Sequence, residues 1–138
     1  MFRKGIYDFN SIDVSNITDF SYVFKDYEVS FIDISKWDVS NGVNFSHMFE
    51  NSSIVGIKDG GNDLSKWDVR NGKDFSYMFS GCKRYCNLQY HDMQEYGDIG
   101  CWNVRNGENF EGMFSGCPRI MYDLGLWVDK IDYEHANI

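Results

Sequence analysis

One string returns four times along this chain, and that return limits the available folds more than any total does. It reads DFNSIDVSNITDFSYVF from Asp8, DISKWDVSNGVNFSHMF from Asp33, DLSKWDVRNGKDFSYMF from Asp63 and DIGCWNVRNGENFEGMF from Asp98, with a partial fifth copy, DLGLWVD, from Asp123. The starts are 25, 30, 35 and 25 residues apart. Inside each complete copy the spacing is constant, with Ile12, Trp37, Trp67 or Trp102 eleven residues before Val23, Met48, Met78 or Met113. All length variation falls after that second position, which confines insertions to one loop. A unit of this size cannot bury its apolar face alone. Stacked units can, and at least three are needed.

Within a unit, Leu64, Trp67 and Val69 have the L-x-x-L-x-L spacing that marks a short strand in leucine-rich repeats. Asp68 and Arg70 would then face the other way, as a period of two requires. Asn-Gly follows at Asn41, Asn71 and Asn106, but the first copy has Asn16-Ile17. The dipeptide therefore reads as the turn by which the chain leaves each strand, not as a hairpin that demands a left-handed glycine. Phe75, Met78 and Phe79, at i, i+3 and i+4, predict a short helical turn. The expected fold is a repeat solenoid of leucine-rich-repeat type, a single domain over residues 1–138. It would have about five coils, each a short parallel β-strand plus a short helical turn, starting near residues 8, 33, 63, 98 and 123. Stacking would place Trp37/Trp67/Trp102/Trp127, Phe20/Phe45/Phe75/Phe110 and Phe24/Phe49/Phe79/Phe114 in interior columns. Each buried ring contributes about 1.5–3 kcal/mol.

The WDVSN…MF…GC core of these units closely resembles the BspA-like leucine-rich-repeat surface-protein family, over roughly residues 8 to 127. The resemblance implies a parallel β-solenoid, with adhesion or protein binding as its usual role. Family members run in long arrays in bacterial surface proteins and also occur in mobile-element and viral genomes.

The chain has a net charge of −8 and a pI near 4.7. This argues against wrapping nucleic acid or an anionic membrane, since both require a basic face, so neither is an expected partner. A protein with a basic surface is. The start, MFRKGIYDFN, carries no apolar run of signal-peptide length, and no stretch approaches a membrane span. A cytoplasmic location is expected, or an extracellular one if a leader has been removed. The four cysteines then read as thiols. Cys82 and Cys117 share one repeat position and read as small buried side chains; Cys82, Cys86, Cys101, Cys117 and His91 lack a tight C-x-x-C pattern, so no metal or cofactor is expected.

Two surfaces carry the candidate partner-binding residues. One is the insertion CKRYCNLQYHDMQEYGD, with Lys83, Arg84, Tyr85, Tyr90, His91, Met93 and Tyr96, rich in the residue types that dominate binding hot spots. The other is the outward column Asp13, Asp38, Asp68 and Asn103 with its neighbours Ser15, Ser40, Arg70 and Arg105, from which Asp38, Asp68, Arg70 and Arg105 are the candidates. The plainer reading of that column is a solvated, charge-balanced face. The aspartates that open each copy read as turn residues. His47 replaces Tyr22 and Tyr77 and reads as a variable exposed position.

No catalytic residue is expected. The chain has no nucleophile elbow and no P-loop, since NGKDFS lacks the first glycine. The functional expectation is a non-enzymatic protein-binding repeat module, acting through its insertion loops and concave strand face. One alternative is a phage or mobile-element inhibitor of a host nucleic-acid-binding defence enzyme, of the anti-CRISPR or anti-restriction kind. Another is a fragment of a bacterial surface adhesin.

Overall fold

The computed structural model describes residues 7–28, 32–52, 64–82, 99 and 102–116, which include the body of all four complete copies. Strand β1 (Tyr7–Asp8) pairs in parallel with β2 (Ile32–Asp33), Tyr7 opposite Ile32 and Asp8 opposite Asp33. Single parallel bridges then link Asp19 to Asn44, Asn44 to Asp74 and Asp74 to Asn109. Each bridged residue has the same place in its own copy, so equivalent residues lie opposite one another through the described stack.

The backbone donors show what holds one coil on the next. Phe20, Tyr22, Phe24 and Asp26 donate to the carbonyls of Asn44, Ser46, Met48 and Glu50 at 2.8–3.2 Å. Phe45, His47, Phe49 and Asn51 do the same to Asp74, Ser76, Met78 and Ser80, and Phe75, Tyr77, Phe79 and Gly81 to Asn109, Glu111, Met113 and Ser115. The intervening amides stay within the coil. Met78 donates to Phe75, Ser80 to Tyr77 and Cys82 to Phe79, each closing a three-residue turn, while the Ser76 N–H meets the Asp74 carboxylate at 2.9 Å. Alternate N–H groups therefore leave for the next coil or close a turn, and none in this stretch is wasted.

This segment is where the i, i+3, i+4 spacing predicts a helical turn, and no α-helix occurs among the described residues. A helix would keep every amide bond within its own segment. Here half of them cross, and the backbone accommodates the crossing with left-handed residues, Tyr77 at φ 56° and Gly81 at φ 71°. The L-x-x-W-x-V segment, read as the strand, likewise lacks a ladder among the described residues. It turns twice, through Trp67 N–H to Leu64 and Gly72 N–H to Val69, and it is tied to the preceding coil by side chains. The indole N–H of Trp37, Trp67 and Trp102 donates to the carbonyl of Phe9, Ile34 and Leu64. The side-chain amide of Asn41, Asn71 and Asn106 donates to Ser15, Ser40 and Arg70.

The core lies inside these coils. Phe20, Phe45, Phe75 and Phe110 stack at 5.4–5.5 Å with their planes within 6°. Phe24, Phe49, Phe79 and Phe114 form a second column at 5.4–5.8 Å. The indoles of Trp67 and Trp102 lie parallel at 6.3 Å. Trp37, Trp67 and Trp102 are buried, as are the valines of all four copies, Val14, Val39, Val69 and Val104. Trp127 lies outside the described residues.

Candidate partner-binding surface

With the Phe columns and the described Trp rings inside, what remains for recognition is the outer surface, and one regular feature of it is a row set by local turns. Asp13 accepts from the N–H and hydroxyl of Ser15 at 3.0 and 2.7 Å, and Asp38 from those of Ser40 at 3.0 and 2.6 Å. In the third copy Arg70 replaces the serine and grips Asp68 through Nε at 3.1 Å and Nη2 at 2.8 Å. In the fourth, Asn103 replaces the carboxylate and takes only the Arg105 N–H, at 3.1 Å. Among the described residues no carboxylate pairs with Arg105. The four candidates Asp38, Asp68, Arg70 and Arg105 thus share one row. Formal charge along it runs from negative at Asp13 and Asp38, through a neutral Asp68–Arg70 pair, to positive at Arg105.

The carboxylates of this row stay ionised well into acid. The Ser15 hydroxyl, then the Ser15 amide, holds Asp13 below its ordinary value of 3.8. Ser40 does the same for Asp38 and outweighs the repulsion of Asp68 and Asp13, and Arg70 does it for Asp68. Asp19 is lowered by Ser21. Burial pushes Asp33 up, but Asn10, Ser35 and Lys36 together bring it down. A carboxylate that titrates lower folded than unfolded contributes stability that is complete above the unfolded value and lost as pH falls through the folded one. The melting temperature is therefore expected to hold from neutral pH down to about 5 and to decline below about 4. Asp13→Asn, Asp38→Asn and Asp68→Asn combined should flatten that acid limb in a thermal melt. An equally steep limb in the triple variant would remove these turns as its cause.

The structure shows a second outer feature that the sequence pattern disguised. His47 is not a loose exposed position. Its ring is stacked between Tyr22 at 4.6 Å and Tyr77 at 5.1 Å, and Nδ1 lies 2.7 Å from the Glu50 carboxylate. Lys25 reaches Glu50 at 3.9 Å and Asp26 at 3.2 Å. Tyr22, His47 and Tyr77 all have left-handed backbone, at φ 65°, 58° and 56°. The fourth copy carries Gly112 there, also at positive φ, where a Cβ would collide with the Tyr77 ring. Recurrence of aromatic residues at this position was the available signal; its meaning depended on knowing that the rings fall in register.

The structure also places a column absent from the sequence reading. Asp19, Asn44 and Asp74 each cap the serine two residues on, and Asn109 caps Glu111. The recurring Asp/Asn-Phe-Ser triplet marks it. The opening aspartates behave as turn residues where described, Asp8 accepting from Asn10 and Asp33 from Ser35. The insertion residues Lys83, Arg84, Tyr85, Tyr90, His91, Met93 and Tyr96, and the thiols Cys86, Cys101 and Cys117, lie outside the described residues. Cys82 is buried. Among the described residues, no group of three or more His, Cys, Asp or Glu side chains is placed to hold a metal ion, and no helix is long and apolar enough to cross a membrane.

A family model described as "Mycoplasma protein of unknown function, DUF285" matches residues 1–127, a span that takes in the four complete copies and the start of the fifth. Neither a curated protein nor a solved structure matches the chain.

Proposed function

The chain belongs to the DUF285 family, and for this member we propose a non-enzymatic protein-binding repeat solenoid, of the leucine-rich-repeat kind that its resemblance to BspA-like repeats implies. Its described Trp37, Trp67 and Trp102 and its two Phe columns are committed to the core, so recognition falls to outer positions that a stack of coils holds at regular spacing. The observation that carries the reading is the graded row. Asp13, Asp38 and the Asp68–Arg70 pair are each fixed by hydrogen bonds within their own turns, so little conformational freedom is lost there when a partner docks. A complementary partner presents basic groups opposite Asp13 and Asp38 and an acidic group opposite Arg105. Steering by such a gradient raises association rates and selects orientation more than it raises affinity. The tyrosine-rich insertion, Cys82 to Asp98, contributes residue types that dominate binding hot spots.

The test is affinity capture from the native host, using the wild-type chain, a row variant (D38K with R105E) and an insertion variant (Y85A, Y90A and Y96A). Asp38 and Arg105 are exposed, so the row variant should keep its stability within about 0.5 kcal/mol of wild type, and a thermal melt of each variant checks that it is folded before capture. Loss of a stoichiometric partner from the row variant supports the graded row, and loss from the insertion variant supports the hot-spot role. Unchanged recovery by both would refute the proposal.

A further inference from the structure

The first coil presents an edge that every later described coil has covered. In the second, third and fourth copies, four alternate carbonyls, Asn44 to Glu50, Asp74 to Ser80 and Asn109 to Ser115, accept amides from the coil before. Their equivalents in the first copy, the carbonyls of Asp19, Ser21, Val23 and Lys25, accept none among the described residues, and the amides of Thr18 and Asp19 donate none. The side chains tell the same story. Val23 is 47% exposed where Met48, Met78 and Met113 are 0%, and Ile12 is 52% exposed where Trp37, Trp67 and Trp102 are 8% or less. Tyr22, 53% exposed, stacks on His47 with one face only.

We propose that this edge seats one extended segment of a partner protein, which joins the stack as an added rung. The three interior interfaces define its chemistry. Its amides on alternate residues donate to the carbonyls of Asp19, Ser21, Val23 and Lys25. A ring stacks on the open face of Tyr22, as His47 stacks on its other face, and an aliphatic or thioether side chain covers Val23 and Ile12. Interior coils also reach back through an indole N–H, whereas Ile12 has none to offer. The seat therefore suits a short segment better than a complete coil. Backbone bonds give such strand addition its affinity and alternate side chains its specificity. An edge left open in this way otherwise invites aggregation. This surface is separate from the graded row, so either stands if the other fails.

The probe is a synthetic peptide of residues 71–82, NGKDFSYMFSGC with Cys82→Ser, whose counterpart in the chain makes these four donations to the fourth coil. Titrated into the full chain and followed by fluorescence anisotropy, it is expected to bind saturably at one site. Methylating the Tyr77 and Phe79 amides of the peptide should weaken binding roughly tenfold, and so should Val23→Asp in the chain. Val23 is exposed, so that variant should keep its melting temperature. Equal binding of the methylated peptide, or binding indifferent to Val23→Asp, overturns the proposal, as does no saturation at millimolar peptide. Light scattering that shows a dimer dissociated by Val23→Asp overturns it too, by assigning the edge to a second copy.

Discussion

Replacing Phe75 by alanine is expected to destabilise the protein by about 3–5 kcal/mol, and to lower its melting temperature by roughly 10 °C or more. The ring is fully buried and lies between Phe45 at 5.5 Å and Phe110 at 5.4 Å, nearly parallel to both. Truncation removes its transfer free energy and leaves a cavity that the flanking rings cannot fill, since each is fixed in its own coil. It also breaks two stacks worth about 0.5–1.5 kcal/mol each beyond their area. Position matters as much as size. A stack holds together through nearest-neighbour contacts, so a gap in the third coil weakens the tie between the coils on either side. Phe110→Ala, where the ring is less fully enclosed, should cost less. Circular dichroism melts of the two variants give the comparison. A loss below about 1 kcal/mol at Phe75 would mean that the ring column does not hold the coils together.

Gly72→Ala is the second large effect, and it reaches the same ring from the backbone side. A Cβ at Gly72 would collide with the Phe75 ring and would stand 3.1 Å from the ring of Phe45. Gly72 is not among the glycines at positive φ, so a left-handed conformation is not what excludes a side chain. The barrier is steric, and overpacking of this kind costs about 1–3 kcal/mol. That reading makes a further demand. In a Phe75→Ala background the obstructing ring is gone, and Gly72→Ala should then be close to neutral. A double-mutant cycle would show a coupling nearly as large as the single Gly72→Ala effect. An additive cycle would place the need for glycine in the backbone instead.

The correspondence between copies was legible from spacing. Because eleven residues always separate Trp37, Trp67 or Trp102 from Met48, Met78 or Met113, the equivalences follow without coordinates, and with them the two Phe columns and the Trp67–Trp102 pair now seen stacked. The outward row of Asp13, Asp38, Asp68 and Asn103 followed in the same way. Local chemistry was misread where two explanations share one pattern. Phe75, Met78 and Phe79 have helical spacing, but a chain of turns closed every third residue also returns side chains to one face. His47 looked like an unconstrained substitution because a single copy does not reveal that its neighbours are tyrosine rings from other coils.

The amino-acid order by itself determined which residues correspond, since a repeated string with one variable loop admits only a register that superposes its copies. Tertiary structure decided where each amide sends its bond. The choice between a carbonyl along the chain and one in the next coil depends on what lies 25 to 35 residues away, and no local propensity encodes that distance. It also decided the charge gradient. Asp68 is neutralised by Arg70 two residues later, whereas Arg105 meets an uncharged Asn103, and only stacking sets those pairs side by side as one graded surface.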